Sequence, residues 1–117
     1  MANIVLSAIE ADLLIPGGTS DNSLLVIDVK PYREIRGFFA KRGGPQITLT
    51  LQILEPNSSD DKPSAANGSV IGVLDQFVLE GEFSRLYGAP GPWLQVLASI
   101  GPGGGARIGQ LAFVGWD

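Results

Sequence analysis

The feature that most constrains the fold is the stretch at positions 46–54, Gln-Ile-Thr-Leu-Thr-Leu-Gln-Ile-Leu, which alternates polar and apolar residues from Gln46 to Ile53. Side chains on a strand point to opposite faces with a period of two, so the apolar residues of this stretch share one face and the polar residues share the other. Residues 55–68, which follow directly, contain no candidate core residue. The pattern predicts an amphipathic strand that buries one face and leads into a long polar loop.

Further segments of the chain are typical of strands, namely residues 4–15, 23–29, 32–41, 69–80, 93–100 and 106–116. A helical pattern also fits residues 4–14 and 69–80, but β-branched residues, Gly72 and Gly81 favour a strand for the second of these. The chain contains 16 Gly and 8 Pro, a content normal for short strands joined by tight turns. About seven short strands at regular spacing predict an all-β sandwich or barrel.

Two glycine-rich turns predict how neighbouring strands pair. Residues 42–45, Arg-Gly-Gly-Pro, lie between the third strand and the amphipathic strand, and residues 101–105, Gly-Pro-Gly-Gly-Gly, lie between the last two strands. Short connections of this kind usually join antiparallel neighbours, so the sequence predicts a hairpin at each turn. A phosphate-binding loop at residues 101–105 would need a Lys-Ser/Thr pair and a following helix, and here Ala106 and Arg107 lead into a strand.

Length and composition limit the functional classes. At 117 residues the chain is expected to form one domain over residues 1–117, with residues 1–22 as a candidate N-terminal arm. A net charge of −4 argues against a nucleic-acid partner, and no apolar run reaches the length of a membrane span. The absence of His and Cys excludes imidazole and thiolate chemistry, so we expect no enzyme activity and no cofactor.

Basic residues are concentrated in one part of the sequence. Five of the eight basic residues fall within thirteen positions: Lys30, Arg33, Arg36, Lys41 and Arg42. One interpretation is an electropositive surface that faces an acidic partner. The other is protection of an edge strand, because Lys and Arg discourage unwanted strand pairing.

Trp93 and Trp116 are the aromatic candidates for binding. They could stack on sugars, but Trp93 follows Pro92 and Trp116 almost ends the chain, which favours packing in the core or at a subunit interface. Thr48 and Thr50 lie on the uncharged outward face of the amphipathic strand. Only 17% of the chain is charged, so we expect a partner to cover part of its surface.

Carboxylates offer two weaker candidate sites. Asn57, Asp60 and Asp61 could bind Ca²⁺, although the polar loop at residues 57–67 lacks the EF-hand pattern, and a solvated loop or a recognition tip is the simpler interpretation. Glu80 and Glu82 share a face of one strand at roughly 7 Å, a spacing on an open strand that does not form a catalytic cleft.

The order of these pieces resembles that of small β-sandwich proteins encoded in the structural gene clusters of tailed bacteriophages. The resemblance covers residues 23–116 and rests on Leu-Val-Ile-Asp-Val at 25–29, the strand at 35–41, the amphipathic strand with its Asp-rich loop, and Gly-Ala-Pro-Gly-Pro-Trp-Leu-Gln-Val at 88–96. Two departures are the Ser-Asp-Asp-Lys-Pro of residues 59–63, where Asp-Gly and an aromatic are common, and Gln95, where a basic residue is common.

The resemblance implies a jelly-roll-like antiparallel sandwich of about seven to eight strands that serves as a virion structural protein. A capsid cement or decoration protein on the capsid surface, made in the host cytoplasm, is the first expectation, with the major capsid protein or other virion subunits as partners and a homotrimer as its oligomeric state. A neck or tail-associated subunit is an alternative. From a different class, a galactose-binding-like carbohydrate module could use Trp93 or the loop at residues 57–67.

Overall fold

The computed structural model describes residues 4–9, 13–56, 68–88 and 91–116, and within them it contains strands and no helix. The expected loop at residues 57–67 lies outside the described residues. The nine strand segments are β1 (Ile4–Ile9), β2 (Leu13–Ile15), β3 (Asn22–Asp28), β4 (Glu34–Gly43), β5 (Ile47–Pro56), β6 (Gly68–Leu79), β7 (Glu82–Gly88), β8 (Trp93–Ser99) and β9 (Ala106–Trp116).

The strands form two antiparallel sheets. Sheet A has the order β1-β9-β4-β7, with β2 also paired to β9, and sheet B has the order β3-β8-β5-β6. The pairs are nested along the chain: β5 with β6, β4 with β7, β3 with β8, and β1 and β2 with β9. Such nesting is the topology of a jelly roll, in which one long hairpin is rolled into two facing sheets. The predicted all-β, jelly-roll-like sandwich is therefore confirmed.

Both predicted hairpins are wrong. The turn after β4 passes from sheet A to sheet B, and the loop at residues 101–105 passes from sheet B to sheet A. Among the described strands, β5 and β6 are the one pair of sequential strands that are also neighbours in a sheet. A local turn signal shows where the chain reverses, but it does not show whether the next strand lies about 5 Å away in the same sheet or about 10 Å away in the facing sheet.

The core lies between the sheets and follows the predicted alternation. Ile47, Leu49 and Leu51 of β5 are fully buried, and Ile35 and Phe39 of β4 face them from sheet A. The ring of Phe39 lies 4.9 Å from that of Phe77, 5.3 Å from that of Phe83 and 5.8 Å from that of Phe113, measured between centroids. This aromatic cluster joins the two sheets, since Phe77 belongs to β6 and the other three rings to sheet A.

A polar clasp closes the side of the sandwich where β6 and β7 lie next to each other. The Asp75 carboxylate accepts a hydrogen bond from the Tyr87 hydroxyl at 2.7 Å and pairs with the Arg85 guanidinium at 2.7 Å. Burial raises the pKa of the Tyr87 hydroxyl well above its usual range, and the hydrogen bond to Asp75 adds to the shift. The clasp connects sheet B to sheet A through side chains.

Candidate functional site

The outward face of sheet B, called the neutral face below, is the surface with the most unusual composition. Strand register places side chains from all four strands on it, in rows that cross the sheet. Its members are Ser23, Val26 and Asp28 of β3, Trp93, Gln95, Leu97 and Ser99 of β8, Thr48, Thr50, Gln52 and Leu54 of β5, and Val70, Val73, Gln76 and Val78 of β6. Among the strand residues described on this face, Asp28 is the one charged side chain, and Lys30 pairs with it at 3.0 Å.

The polar groups of the neutral face are bonded to one another. The Gln52 amide donates to the Gln95 carbonyl oxygen at 2.7 Å, and the Gln95 amide donates to the Ser23 hydroxyl at 2.9 Å. On the β6 side, the Gln76 amide donates to the Thr50 hydroxyl at 2.9 Å. Thr50 and Gln95 are only 9% and 8% exposed, because neighbouring side chains cover them within the single chain. A partner could therefore cover this face without leaving these amide and hydroxyl groups unpaired.

The neutral face is large enough for a specific contact. Four strands about 4.8 Å apart and four rows of side chains about 6.8 Å apart give a flat area of about 500 Å². If the partner contributes a surface of the same area, the contact removes about 1,000 Å² from water in total, which is the size at which specific interfaces begin. Two shallow depressions lie along the face, one that includes Thr48 and Ser99 and one that includes Gln95 and Leu97, and Asp21 is the one charged residue that lines them.

The structure separates the residues singled out in the sequence. Thr48, Thr50 and Trp93 lie on the neutral face, whereas Arg36 and Trp116 lie on the outward face of sheet A, on the opposite side of the sandwich. Trp116 is half-buried there, next to Glu34 in the strand register. The eight candidate residues thus do not form one site.

The basic residues do not form a single patch. Lys30 and Arg33 lie at one end of the sandwich, in the connection before β4, while Lys41 and Arg42 lie at the other end of β4. The Lys41 ammonium donates to the carbonyl oxygens of Gly44 and Pro45 at 2.8 Å and 3.4 Å, so it holds the following turn. The alternative of edge-strand protection is wrong for β4, because this strand is paired on both sides, with β9 and with β7.

Arg36 makes one side-chain hydrogen bond on sheet A. Its guanidinium donates to the Ser84 hydroxyl at 3.2 Å across the β4–β7 pair. This contact lies on the outward face, where Phe38 and Leu86 are the neighbouring apolar side chains. The outward face of sheet A therefore mixes charged and apolar residues, as an ordinary solvated face does.

Trp93 does not present an open ring for sugar stacking. Its side chain is 8% exposed, and the Lys30 ammonium lies 4.1 Å from the ring centroid. A sugar would have to displace Lys30, and with it the ion pair to Asp28, before it could stack on that side of the indole. Trp93 therefore does not offer an exposed ring face on which a sugar could stack.

The carboxylate and glycine candidates also have structural explanations. Glu80 and Glu82 are both exposed at the β6–β7 turn, and Glu80 accepts a hydrogen bond from Gln46. The loop at residues 101–105 packs against the turn at Pro16–Gly18, and a Cβ on Gly17 would lie 2.0 Å from the Gly103 carbonyl oxygen. Gly17 in the turn and Gly105 in the loop, whose Cβ would lie 2.7 Å from the Ile15 carbonyl oxygen, therefore allow the two segments to touch backbone to backbone.

Neither a metal site nor a membrane span is indicated in the described part of the chain. The described Asp and Glu residues form no group of three that could hold a metal ion. Within the same residues, no helix is both long and apolar enough to cross a bilayer. The suggested Ca²⁺ ligands Asn57, Asp60 and Asp61 lie outside the described residues.

Thr48, Thr50 and Trp93 could be singled out from the sequence, but most of the neutral face could not. Gln95, Leu97 and the outward residues of β6 belong to it because β8 and β6 flank β5, and no local pattern shows this pairing. The available signal was the period-two spacing of Trp93, Gln95 and Leu97, which matches that of β5. Comparisons of the chain with protein-family models, with curated proteins and with solved structures gave no match.

Proposed function

We propose that the protein is a structural subunit of a tailed-bacteriophage virion, a capsid cement protein that docks on capsid subunits through the neutral face. The observation that supports this proposal is how little charge that face carries in a protein with a net charge of −4: among its described strand residues the one charged side chain is Asp28, on the edge strand β3, and it is paired with Lys30. The chain contains enough Asp, Glu, Lys and Arg residues to keep an exposed surface solvated. Almost all of them lie outside the neutral face.

The internal bonding of the polar groups supports the same function. A cement protein must cover capsid surface at many positions that are similar rather than identical, so a face that demands few reciprocal hydrogen bonds suits this task. The ladder from Gln52 through Gln95 to Ser23 is satisfied before any partner arrives. Shape and apolar contact from Leu97, Val73 and Val78 would then supply the attraction.

Co-sedimentation with capsids tests the proposal. The probe is capsid assembled from the major capsid protein encoded in the same gene cluster, mixed with the purified chain. We expect binding that changes little between low and high salt, because an uncharged contact is not screened. Strong salt dependence would instead assign the contact to basic residues such as Arg36 and Lys41.

Charged variants locate the contact. Leu97→Lys and Leu97→Glu both place a charge in the middle of the neutral face, and both should abolish co-sedimentation, since either sign must be desolvated. Leu86→Lys and Leu86→Glu, on the outward face of sheet A, are the matched controls and should bind normally. Binding by both Leu97 variants would contradict the proposed face, and sedimentation with tails but not with heads would assign the chain to the neck or tail.

A further inference from the structure

Strand β6 is a free edge that carries most of the exposed aliphatic surface. Six large hydrophobic side chains are exposed among the residues whose side chains the structure describes, and four of them belong to β6: Val70, Ile71, Val73 and Val78, at 53%, 54%, 62% and 47% exposure. β6 pairs with β5 on one side only. An unpaired strand of this kind presents backbone N–H and C=O groups together with apolar side chains.

This edge carries less charge than β7, the edge strand of sheet A on the same side of the sandwich. β7 carries Glu82 and Arg85 on its edge, whereas the one charged residue of β6 is Asp75, which is bonded to Arg85 and Tyr87. Residues 70–74, Val-Ile-Gly-Val-Leu, contain neither Lys nor Pro. The register against β5 shifts at Ile71 and at Leu74, and these two bulges bend the strand without covering it.

We propose that β6 pairs antiparallel with β6 of a second copy of this chain, about a two-fold axis at Gly72. This register sets Ile71 against Val73 of the second copy and Val70 against Leu74 of the second copy, so each pair is aliphatic. It also sets Asp75 against Ser69 of the second copy, which keeps the two Asp75 carboxylates apart. A Cβ at Gly72 would meet nothing within 4 Å, so a side chain introduced at the axis would have room.

A second copy is the occupant that the charge distribution favours. Two chains of net charge −4 repel each other, and they can pair closely only where neither carries charge. Residues 70–74 are such a segment, and antiparallel self-pairing matches the segment to itself. A partner strand with charged residues would have to desolvate them against Val and Ile.

The size of the contact predicts a dimer of modest affinity. Pairing about Gly72 overlaps residues 68–76, a length of about 30 Å, which is at the small end of specific interfaces. We therefore expect a micromolar dissociation constant. The dimer would join two copies of sheet B into one eight-stranded sheet with two neutral faces side by side, but the pairing does not depend on the proposed cement function.

Analytical ultracentrifugation of the free protein from micromolar to near-millimolar concentration tests the pairing. We expect a monomer–dimer equilibrium in the parent chain and a dissociation constant raised about tenfold or more by Val73→Lys or by Ile71→Lys, since each removes an apolar contact and adds repulsion across the axis. Leu86→Lys, which changes an aliphatic residue 44% exposed on the free edge of β7, should leave the equilibrium unchanged. A parent chain that is monomeric throughout, or trimeric, would overturn the proposal, and Val73→Thr provides a milder variant should either lysine prevent folding.

Disulfide cross-linking tests the position of the two-fold axis. Because the chain has no cysteine of its own, a disulfide can form only through the introduced residue. The variant Gly72→Cys puts two thiols opposite each other at a Cα separation that an antiparallel pair and a disulfide share, about 4.5–5.5 Å. Mild oxidation should give a covalent dimer in high yield for Gly72→Cys and little for Leu86→Cys. Equal yields from the two variants would refute pairing at β6, whatever the outcome of the capsid experiment.

Discussion

Adding a single methyl group at Gly37 should destabilise the protein measurably. Gly37 lies on the inner face of β4, and a Cβ there would lie 2.6 Å from Cζ of Phe39 and 3.0 Å from Cε1 of Phe113. Carbon atoms in contact prefer about 3.5–4.0 Å, so at least one ring must move by about 1 Å. Phe39 is 1% exposed and held by three other rings, so it has no free space to move into.

Overpacking of this kind costs about 1–3 kcal/mol, so Gly37→Ala should lower the free energy of unfolding by that amount and Tm by roughly 4 °C per kcal/mol. Urea unfolding followed by tryptophan fluorescence is the assay. Gly88→Ala is the control, because a Cβ at this exposed strand end meets nothing within 4 Å. It should be neutral or slightly stabilising. Equal stability of the parent and Gly37→Ala would show that the two rings do not pack over Gly37.

Three further changes test the core, the clasp and the amide ladder. Phe39→Ala should cost about 3–5 kcal/mol in urea unfolding, because it empties the centre of the aromatic cluster; a cost below about 1 kcal/mol would contradict the inter-sheet packing. The raised pKa of Tyr87 means that its contribution to stability is complete below about pH 10 and is lost as pH rises through the higher folded-state pKa. Tyr87→Phe should therefore cost about 1–2 kcal/mol at neutral pH and flatten the alkaline loss of stability, and an unchanged alkaline slope would contradict the burial of the hydroxyl and its bond to Asp75. Gln95→Leu should cost about 1 kcal/mol by leaving the Gln52 amide without its acceptor, while no change would show that water replaces it.

The alternation of residues within single strands could be predicted from the sequence, and the pairing between strands could not. In β4 the period of two puts Ile35, Gly37 and Phe39 on one face and Arg36 and Phe38 on the other, and the burial of these residues follows that division. A strand's own period determines which side chains share a face. The glycine turn after β4 gave no information on which sheet the next strand joins, so the predicted hairpin was wrong.

The neutral face likewise has a part that could be predicted from the sequence and a part that could not. Thr48 and Thr50 could be identified because they are uncharged and face outward on β5. Gln95 and Gln76 join them through β8 and β6; these two residues lie 26 or more positions from Thr50 in the chain, and their association with it depends on the jelly-roll pairing. Lys30 over Trp93 is also a long-range contact, and it removes the sugar-stacking ring that the sequence suggested.

We propose that the neutral face is covered by another subunit when the protein performs its function. Single-cysteine labelling in the cysteine-free chain tests it most directly, with Leu97→Cys on the neutral face and Leu86→Cys on the opposite face of the sandwich. On capsid-bound protein, maleimide labelling of Leu97→Cys should slow strongly relative to the free chain, while labelling of Leu86→Cys should not change. Labelling of Leu97→Cys at the same rate in both states, or selective protection of Leu86→Cys, would contradict the claim.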